Sequence, residues 1–412
     1  MNLAKRSFHK PTCRLAALLT LGLSLFLLVT SYSMASQLNI TARFLPDASR
    51  PDNNTFENTT PSSGYCATYP SQCTNGRFSL VIPQITGYTP MIKDQGVGLS
   101  VPHDWREVDV THTDGSTQKV KIRIVGMGGA YNLSQAVSSL PGAPGHPDLW
   151  KEGRWIYAPT GCSYGGVSAS TSKWYRFFWG FDSSNPCVKT ALFDVSPGIF
   201  FDEINFTYEM QTPNPLAMHI GTYTGQITYT IGPNGDFKFG SATSVDPTIT
   251  LNLKLSVQHT LRVEFPVNTE RLSLQPEGGW QQWIYNGTKF LPKKLIGNVP
   301  FQQWSSTKFK MQLQCQYQVG SDCGIQNDKG TTLVPVKTLV TLPYGLQNSN
   351  GQPVNRYPLS ADIPAIFQPT RYVNNERSAL NFEVDKAGVE QMVNSGGGRF
   401  RGDVTVIWDS QI

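Results

Sequence analysis

Residues 249–265 read ITLNLKLSVQHTLRVEF and form the longest regular pattern in the chain. Every second position from Ile249 to Phe265 is apolar, except for His259. A period of two is typical of a β-strand that buries one face. At about 3.3 Å per residue the stretch would exceed roughly 50 Å, which is too long for one ordinary strand. The pattern therefore predicts two strands end to end, with a domain boundary near Val257.

Alternation of the same kind recurs on both sides of this stretch. It predicts strands at 119–124, 226–231 and 380–384, separated by turns rich in Gly and Pro. The turn Gly232-Pro233-Asn234-Gly235 is expected to lead into a hairpin strand at 236–239. Many short strands with frequent turns predict an all-β chain of sandwich domains.

A single helical pattern interrupts the strands. Val389, Met392 and Val393 have the i, i+3, i+4 spacing of one helix face. The pattern is short, so it predicts a brief helix in the second half of the chain and leaves the all-β class unchanged.

One motif occurs twice, once before the boundary and once at the end of the chain. Residues 221–228 read GTYTGQIT and residues 398–405 read GRFRGDVT. About 25 residues of strand pattern follow the first copy, whereas the chain stops at Ile412 after the second. We therefore expect the second domain to lack its closing strand, which would expose an apolar edge. A chance recurrence of a common hairpin sequence is the alternative. The predicted edge residues are Phe400, Val404, Val406, Trp408 and Ile412.

The first 35 residues have the layout of a secretory signal peptide. Four basic residues precede an uncharged apolar run over 15–29, and Ser33-Met34-Ala35 supplies small residues for cleavage after Ala35. The run is shorter than the roughly 20 residues of a membrane span, and an uncleaved anchor is the alternative. Removing the four cations from the 34 basic residues leaves 30 against 29 acidic ones. A nearly neutral mature chain gives no electrostatic basis for binding nucleic acid.

Export would place the cysteines in an oxidising compartment. Cys13 lies in the segment expected to be removed, which leaves six. They fall into three pairs that are close in sequence, although six cysteines allow fifteen pairings. Zinc ligation is the alternative, but no C-x-x-C or His-x-x-x-His spacing favours it. We predict the disulfides Cys66–Cys73, Cys162–Cys187 and Cys315–Cys323.

The mature chain resembles the minor tip subunits of class-five (alternate) chaperone–usher pili, the CblD-like family that includes the colonization-factor tip adhesins. The resemblance spans residues 36–412. It implies an adhesin domain over 36–256 and a pilin domain over 257–412, both immunoglobulin-like. The features that carry it are the signal peptide, the pair Cys162 and Cys187, the motif at 221–225, Gly278-Gly279-Trp280 and the terminal stretch 398–409.

The resemblance also implies partners and a location. A periplasmic chaperone, and then the N-terminal extension of the next, major pilin subunit, would fill the open groove, and an outer-membrane usher would pass the subunit to the cell surface. A subunit that begins with a folded domain has no extension to donate, so it would sit at the tip and start assembly. Some relatives bind their receptor through two arginines before the Gly-Thr-Tyr motif. Residues 206–210 read FTYEM here, so that mechanism is not carried over.

Two groups of side chains are candidates for binding a host-surface glycan or glycoprotein. Three cations share one face of the strand predicted at 119–124, which would suit an acidic glycan, and a solvated strand face is the alternative. Residues 150–181 combine many aromatic side chains with interleaved cations, and most of these aromatics are expected in the core. The predicted receptor-binding residues are Lys119, Lys121, Arg123, Arg154, Trp174 and Arg176.

The sequence predicts no catalytic residues, no metal site and no cofactor. Residues 161–165 read GCSYG and fit the G-x-S-x-G nucleophile pattern, but that chemistry needs a strand–turn–helix elbow. His103-Asp104 and His112-x-Asp114 resemble metal-ligand or acid–base pairs, although such loop residues more often cap turns. We therefore predict a non-enzymatic pilus tip adhesin. A secreted β-sandwich enzyme that acts on carbohydrate and a complete monomeric binding module are the alternatives.

Overall fold

The computed structural model describes residues 36–73, 78–166, 168–285 and 291–410. The predicted signal peptide, residues 1–35, and Ile412 of the predicted edge lie outside these ranges. The described chain is mostly β-structure, as the sequence predicts. None of the helices in these ranges is long and apolar enough to cross a membrane.

Residues 36–257 form one group of sheets. Its strands are β1 Ser36–Phe44, β2 Glu57–Asn58, β3 Ser79–Ile82, β4 Ile85–Thr86, β5 Tyr88–Met91, β6 Gly96–Ser100, β7 Arg106–His112, β8 Thr117–Leu133, β9 Cys162–Tyr164, β10 Ala169–Ser170, β11 Trp174–Phe181, β12 Cys187–Thr190, β13 Val195–Gln211, β14 Gly221–Thr230, β15 Lys238–Phe239, β16 Thr243–Ser244 and β17 Thr248–Val257. Helix α1, Tyr65–Thr68, and 3₁₀-helices at Pro70–Gln72, Val137–Ser139, His146–Leu149 and Pro215–Ala217 lie in the connections.

The antiparallel strands β8 and β13 form the centre of the largest sheet in this group. Gly129 in β8 allows the two backbones to approach, because a Cβ atom there would lie 1.9 Å from the carbonyl oxygen of Glu203. At the other side of the sheet, β17 lies between β14 and β1. It pairs antiparallel with β14 and parallel with β1 along the full length of β1. The strand β17 is therefore paired on both of its edges.

Residues 261–410 form a second group of sheets. Its strands are β18 Leu261–Glu264, β19 Gln275–Pro276, β20 Leu295–Ser305, β21 Phe309–Cys315, β22 Gln318–Val319, β23 Asp322–Asn327, β24 Leu333–Thr341, β25 Leu346–Asn348, β26 Tyr357–Pro358, β27 Ala365–Pro369, β28 Val373–Val384, β29 Phe400–Arg401 and β30 Val404–Ser410. Two helices, α2 Gly279–Tyr285 and α3 Lys386–Asn394, lie between these strands.

Two sheets enclose the main hydrophobic core of the second group. One contains β18, β20, β28, β24 and β23 in that order, and the other runs β25, β27, β21 and β30. Phe301 and Leu380 from the first sheet pack in one cluster with Phe309 and Met311 from the second. The disulfide Cys315–Cys323 links β21 to β23 and so joins the two sheets.

The alternating stretch 249–265 forms two strands, as predicted, because β17 ends at Val257 and β18 begins at Leu261. In the described chain, no strand ladder joins the two groups of sheets. His259 lies between the strands and contacts both groups, with Nε2 donating to the carbonyl oxygen of Met218 at 2.9 Å and Nδ1 lying 3.3 Å from Ser306 Oγ. The domain boundary near Val257 stays a prediction.

Local predictions met different outcomes. The predicted short helix is α3, which begins with the Asp385 side chain accepting a hydrogen bond from the Gly388 N–H. All three predicted disulfides are present. The hairpin predicted across residues 232–235 is formed only at its start. Phe237 exchanges backbone hydrogen bonds with Thr230 and Gly232, whereas Lys238–Phe239 pairs with β6 instead, because Phe237 and Phe239 enter the core beside that strand.

Candidate functional site

The last described strand, β30, is paired along one edge only. It runs antiparallel to β21 from Phe309 opposite Ser410 to Cys315 opposite Val404. Among the described residues, no strand pairs with its second edge. Its backbone N–H and C=O groups on that side therefore form an open template for another strand.

The side chains of β30 alternate strictly between two environments. Val404, Val406 and Trp408 point towards the core and are half-buried. Thr405, Ile407 and Asp409 lie on the opposite face and are exposed. An interior strand would bury its inward side chains fully, so half-burial marks a core that is incomplete at this edge.

A groove of about 680 Å³ runs beside the inward face of β30. Its floor is apolar and includes Val299, Val336 and Leu380, which are buried. Trp408 forms part of one wall, with ring centroids 5.5 Å from Phe301 and 5.8 Å from Phe265. The indole N–H of Trp408 is buried without a hydrogen-bond partner. The groove therefore combines an apolar lining with an unpaired strand edge.

The opposite wall comes from the segment between β18 and β19. Phe265 and Leu272 border the groove and remain 42% and 40% exposed, which is high for large apolar side chains. The sequence analysis did not identify these residues as part of the edge. The signal was present at Phe265, which ends the alternating stretch on its apolar face.

The motif copy at 221–228 has a different environment. It lies in β14, which is paired over its whole length with β17. At equivalent positions of the two copies, Tyr223 is fully enclosed at 1% exposure and Phe400 is half-buried, whereas Ile227 and Val404 are both half-buried. The copies therefore differ mainly in strand pairing. The first group of sheets supplies a covering strand from within the chain, and the described part of the second group does not.

The structure brings together three of the five predicted edge residues. Val404, Val406 and Trp408 line the groove. Phe400 lies instead on β29, opposite Asn327 of β23, and packs in a separate apolar cluster with Val334 and Val389. The chain crosses from one sheet to the other at Gly402-Asp403, which separates Phe400 from the open edge.

The predicted cationic face does not present free positive charge. Lys119 Nζ lies 3.0 Å from Glu107 Oε2, and Lys121 Nζ lies 3.6 Å from the other oxygen of the same carboxylate. Arg123 donates to Glu209 Oε2 at 2.6 and 2.8 Å and lies over the Trp105 ring. Lys119 in turn lowers the pKa of Glu107 through a hydrogen bond. The carboxylates on β7 and β13 therefore neutralise the cations on β8.

The other predicted receptor residues lie elsewhere. Trp174 and Arg176 are on β11 opposite Asn132 and Ala130, which lie about 30 and 23 Å along β8 from Arg123 at roughly 3.3 Å per residue. Arg176 is half-buried and lies 3.5 Å from Glu203, whereas Arg154 is exposed in the loop before Trp155. Most aromatic side chains of residues 150–181 lie in the core, as the sequence analysis expects. These fully enclosed side chains include Trp150, Trp155, Tyr175, Phe177, Trp179 and Phe181.

Arg123 does border a recess of about 340 Å³ on the outer face of β8, β11 and β13. The Cys66–Cys73 segment forms one rim, and His103, Asp182 and Gln72 contribute polar groups. Sequence spacing gave no means of grouping these residues, because they come from four separate parts of the chain. The volume falls within the usual range for small-ligand sites.

Residues proposed by catalytic motifs have ordinary structural environments. Ser163 lies within β9, in register with Gly180 of β11, and its neighbour Cys162 is disulfide-bonded to Cys187. This is strand geometry, and the G-x-S-x-G chemistry requires a strand–turn–helix elbow.

Lys189 is a buried cation that the sequence analysis missed. Its Nζ donates to the carbonyl oxygens of Glu152 and Arg154 at 3.1 Å, and burial lowers its pKa to about 8.

One group of side chains has the composition of a metal site. His112 and Asp114, a pair visible in the sequence, are joined in space by His219. Hydrogen bonds from Ser116 and then from His219 hold the pKa of Asp114 well below its usual range. The sequence analysis predicted no metal site because a His-x-Asp pair in a loop more often caps a turn, and nothing in the sequence linked that pair to His219, which is 105 residues from Asp114.

Comparison with known proteins gives distant structural matches only. No protein-family model and no curated protein matches the chain. It is similar to a chain of the chaperone–tip adhesin complex of CFA/I fimbriae biogenesis, at 11% identity and a TM-score of 0.24, covering 92% of this chain and 97% of that one. It is also similar to CfaE, the adhesive subunit of the CFA/I fimbria of enterotoxigenic Escherichia coli, at 10% identity and 0.24, covering 92% and 93%. A third match is the CsuC–CsuE chaperone–tip adhesion subunit pre-assembly complex of archaic Csu pili from Acinetobacter baumannii, at 9% identity and 0.23, covering 91% and 98%.

Proposed function

We propose that this chain is an exported, non-enzymatic fimbrial tip subunit whose second, immunoglobulin-like domain, residues 257–412, accepts a β-strand from another protein. The observation that carries the proposal is the half-paired strand β30 beside an apolar groove. A strand added there would pair with the backbone of β30 and bury Val406 and Trp408. The proposal agrees with the resemblance of residues 398–409 to the terminal strand of pilus subunits.

The shape of the groove defines the incoming strand. Pairing along β30 requires an extended segment of about seven residues, the length of β30 itself. Successive side chains of a strand point to opposite sides, so every second residue of the partner would enter the groove and should be apolar. In the periplasm this strand would come from a chaperone, and during assembly at the usher it would come from the N-terminal extension of the major pilin.

We assign receptor binding to the first domain, residues 36–256, which places it at the free end of the pilus on the cell surface. The recess bordered by Arg123 is the proposed site, because it joins one predicted receptor residue to polar groups of His103, Asp182 and Gln72. Glu107 and Asp109 together balance the charges of Lys119 and Lys121, which argues against a purely cationic surface for an acidic glycan. A host glycan or glycoprotein would therefore be recognised mainly by hydrogen bonding.

The strand-acceptor role is tested with the full exported chain. One form carries no addition, and a second carries a seven-residue strand with alternating apolar residues, joined after Ile412 by a short turn. The matched control has Ser and Asn at the alternating apolar positions. Size-exclusion chromatography with light scattering should show oligomers or aggregates for the unfused and control forms, and a monomer for the apolar fusion. A monodisperse unfused chain that gains nothing from the apolar strand would support a complete binding module instead.

A further inference from the structure

His112, Asp114 and His219 converge at one end of the first group of sheets. His112 is the last residue of β7, Asp114 lies in the turn before β8, and His219 precedes β14. Asp114 Oδ1 lies 3.0 Å from His112 Nδ1, and Asp114 Oδ2 lies 2.6 Å from His219 Nδ1. The three potential ligand atoms all lie within 4.8 Å of one another.

We propose that these three side chains bind a divalent transition metal ion, with Zn²⁺ as the best fit. Two imidazole nitrogens and one carboxylate oxygen form a ligand set that zinc prefers. Ligand atoms at about 2.0–2.1 Å from a tetrahedral zinc lie roughly 3.3 Å apart. The imidazole nitrogens of His112 and His219 lie 3.0 and 2.6 Å from the two different oxygens of the Asp114 carboxylate, so the ligands would have to move apart to admit the ion. Binding would displace the proton between His219 Nδ1 and Asp114 Oδ2, and His112 Nδ1 would give up only a long hydrogen bond from the Asp114 backbone N–H, at 3.4 Å.

Surrounding groups hold the ligands in place, as the packing and hydrogen-bond partners of the ligands do in established zinc sites. The His112 ring is buried against Tyr223, with centroids 4.8 Å apart. Gly221, at φ +135°, makes room for this ring, because a Cβ atom there would lie 2.3 Å from His112 Nε2. The backbone N–H of His219 donates to the Tyr223 hydroxyl at 2.8 Å, so Tyr223 contacts both the His112 ring and the backbone that carries His219.

The side of the cluster that faces solvent would remain open. The side chains of Asp114 and His219 are 39% and 42% exposed, so water or a group from a partner can supply a fourth ligand. The backbone N–H of Ser116 donates to Asp114 Oδ1 at 2.7 Å, which orients the carboxylate. His259 lies nearby but is not counted as a ligand, because both of its ring nitrogens already have partners, Ser306 and the Met218 carbonyl.

The metal would connect distant parts of the chain. It would join the turn after β7 to the segment before β14, two segments about 105 residues apart. Met218, next to His219, accepts the hydrogen bond from His259 in the connection between β17 and β18. Bound metal is therefore expected to stabilise the side of the first domain that faces this connection.

The test uses the full chain carrying the apolar fused strand, stripped of metal with a chelator, in three forms that share this strand. These are the parent, His219→Asn, and Asp202→Asn as a control for loss of an exposed metal-ligating side chain outside the cluster. Calorimetric titration should show one Zn²⁺ per parent chain, the same affinity for Asp202→Asn, and at least about tenfold weaker binding for His219→Asn. Zn²⁺ should raise the melting temperature of the parent and the control, but not that of His219→Asn.

Two further measurements identify the ligand chemistry. Co²⁺ should give the visible absorption bands of a four- or five-coordinate centre in the parent and lose them in His219→Asn. Ca²⁺ should produce no comparable stabilisation, because it prefers oxygen ligands. Equal Zn²⁺ binding by the parent and His219→Asn, absence of Zn²⁺ binding, or tighter binding of Ca²⁺ would each overturn the proposal. None of these outcomes depends on the strand-acceptor role.

Discussion

The open groove should affect the stability contribution of Trp408 more than that of other residues on β30. Its ring contacts Phe301 and Phe265, yet the side chain is only half-buried. Replacing a fully buried Trp by Ala typically costs about 3–5 kcal/mol. With half of this burial, Trp408→Ala should cost about 2 kcal/mol in the unfused chain. Covering the groove with a fused strand should raise the cost to about 3–5 kcal/mol, because the ring would then be enclosed.

The difference between the two costs is a coupling free energy of about 2 kcal/mol between Trp408 and the added strand. It is measured by urea unfolding of four proteins: parent and Trp408→Ala, each with and without the apolar fused strand, at protein concentrations at which light scattering shows the unfused forms to be monomeric. Ile407→Ala is the matched control. Ile407 is the next residue on the same strand, is 42% exposed and faces away from the groove. Its replacement should cost less than about 0.5 kcal/mol with or without the strand.

Two results would refute this reasoning. If Trp408→Ala cost the same in both backgrounds, the added strand would not cover the groove. If Ile407→Ala showed the same coupling as Trp408→Ala, the fused strand would stabilise the chain without regard to the face that β30 presents. Either result would remove the geometric basis for strand acceptance.

Three other predictions follow from the first group of sheets. Asp182→Asn and Gln72→Ala should weaken receptor binding in a cell or glycan binding assay without changing the melting temperature. Lys121→Gln lies outside the recess and should leave receptor binding unchanged. The reverse pattern would place the receptor site on the cationic face instead. Lys189→Met should destabilise the chain by about 1–3 kcal/mol in urea unfolding, because it leaves buried carbonyl groups without a hydrogen-bond donor. Burial lowers the folded-state pKa of Lys189 to about 8, below its unfolded value of 10.5. Between these pH values the unfolded chain binds more protons, so the parent should gain stability relative to Lys189→Met as the pH rises. A loss of relative stability over this range would contradict the assignment. Removing the disulfide Cys162–Cys187, which spans 25 residues, should lower the free energy of unfolding by about 3 kcal/mol. Removing Cys66–Cys73, which spans 7 residues, should lower it by roughly 1 kcal/mol less, because its loop is shorter. The reverse order in urea unfolding would contradict the loop-length argument.

Local patterns in the sequence were sufficient for several features. The period of two over residues 249–265 gave two strands, and His259 marked the break between them. The sequence-near cysteines paired as predicted, since short loops allow their side chains to meet. These features depend on residues close together in the chain, where spacing alone determines which side chains share a face.

Features that depend on long-range pairing were not predictable in this way. Lys119 and Arg123 look like a cationic face until the register of β8 against β7 and β13 places Glu107 and Glu209 beside them. His112-x-Asp114 looks like an ordinary turn pair until β14 brings His219 next to it. The terminal motif predicted an open edge, but the change of sheet at Gly402-Asp403 separated Phe400 from Val404. Each difference follows from strand register, which one sequence leaves undetermined.

The two faces of β30 indicate how a partner must approach. On the outer face, Asp409 pairs with Lys310 of β21 at 2.9 Å, and Thr405 and Ile407 are exposed, so two of the three outward side chains from Thr405 to Asp409 are polar. On the inner face, Val404, Val406 and Trp408 carry no charge that would repel another strand. A partner that packed flat against the outer face would have to desolvate the ion pair, whereas a partner that adds at the edge leaves it in solvent and completes the core. The arrangement therefore favours edge addition, with backbone pairing supplying affinity and the alternating apolar side chains supplying register.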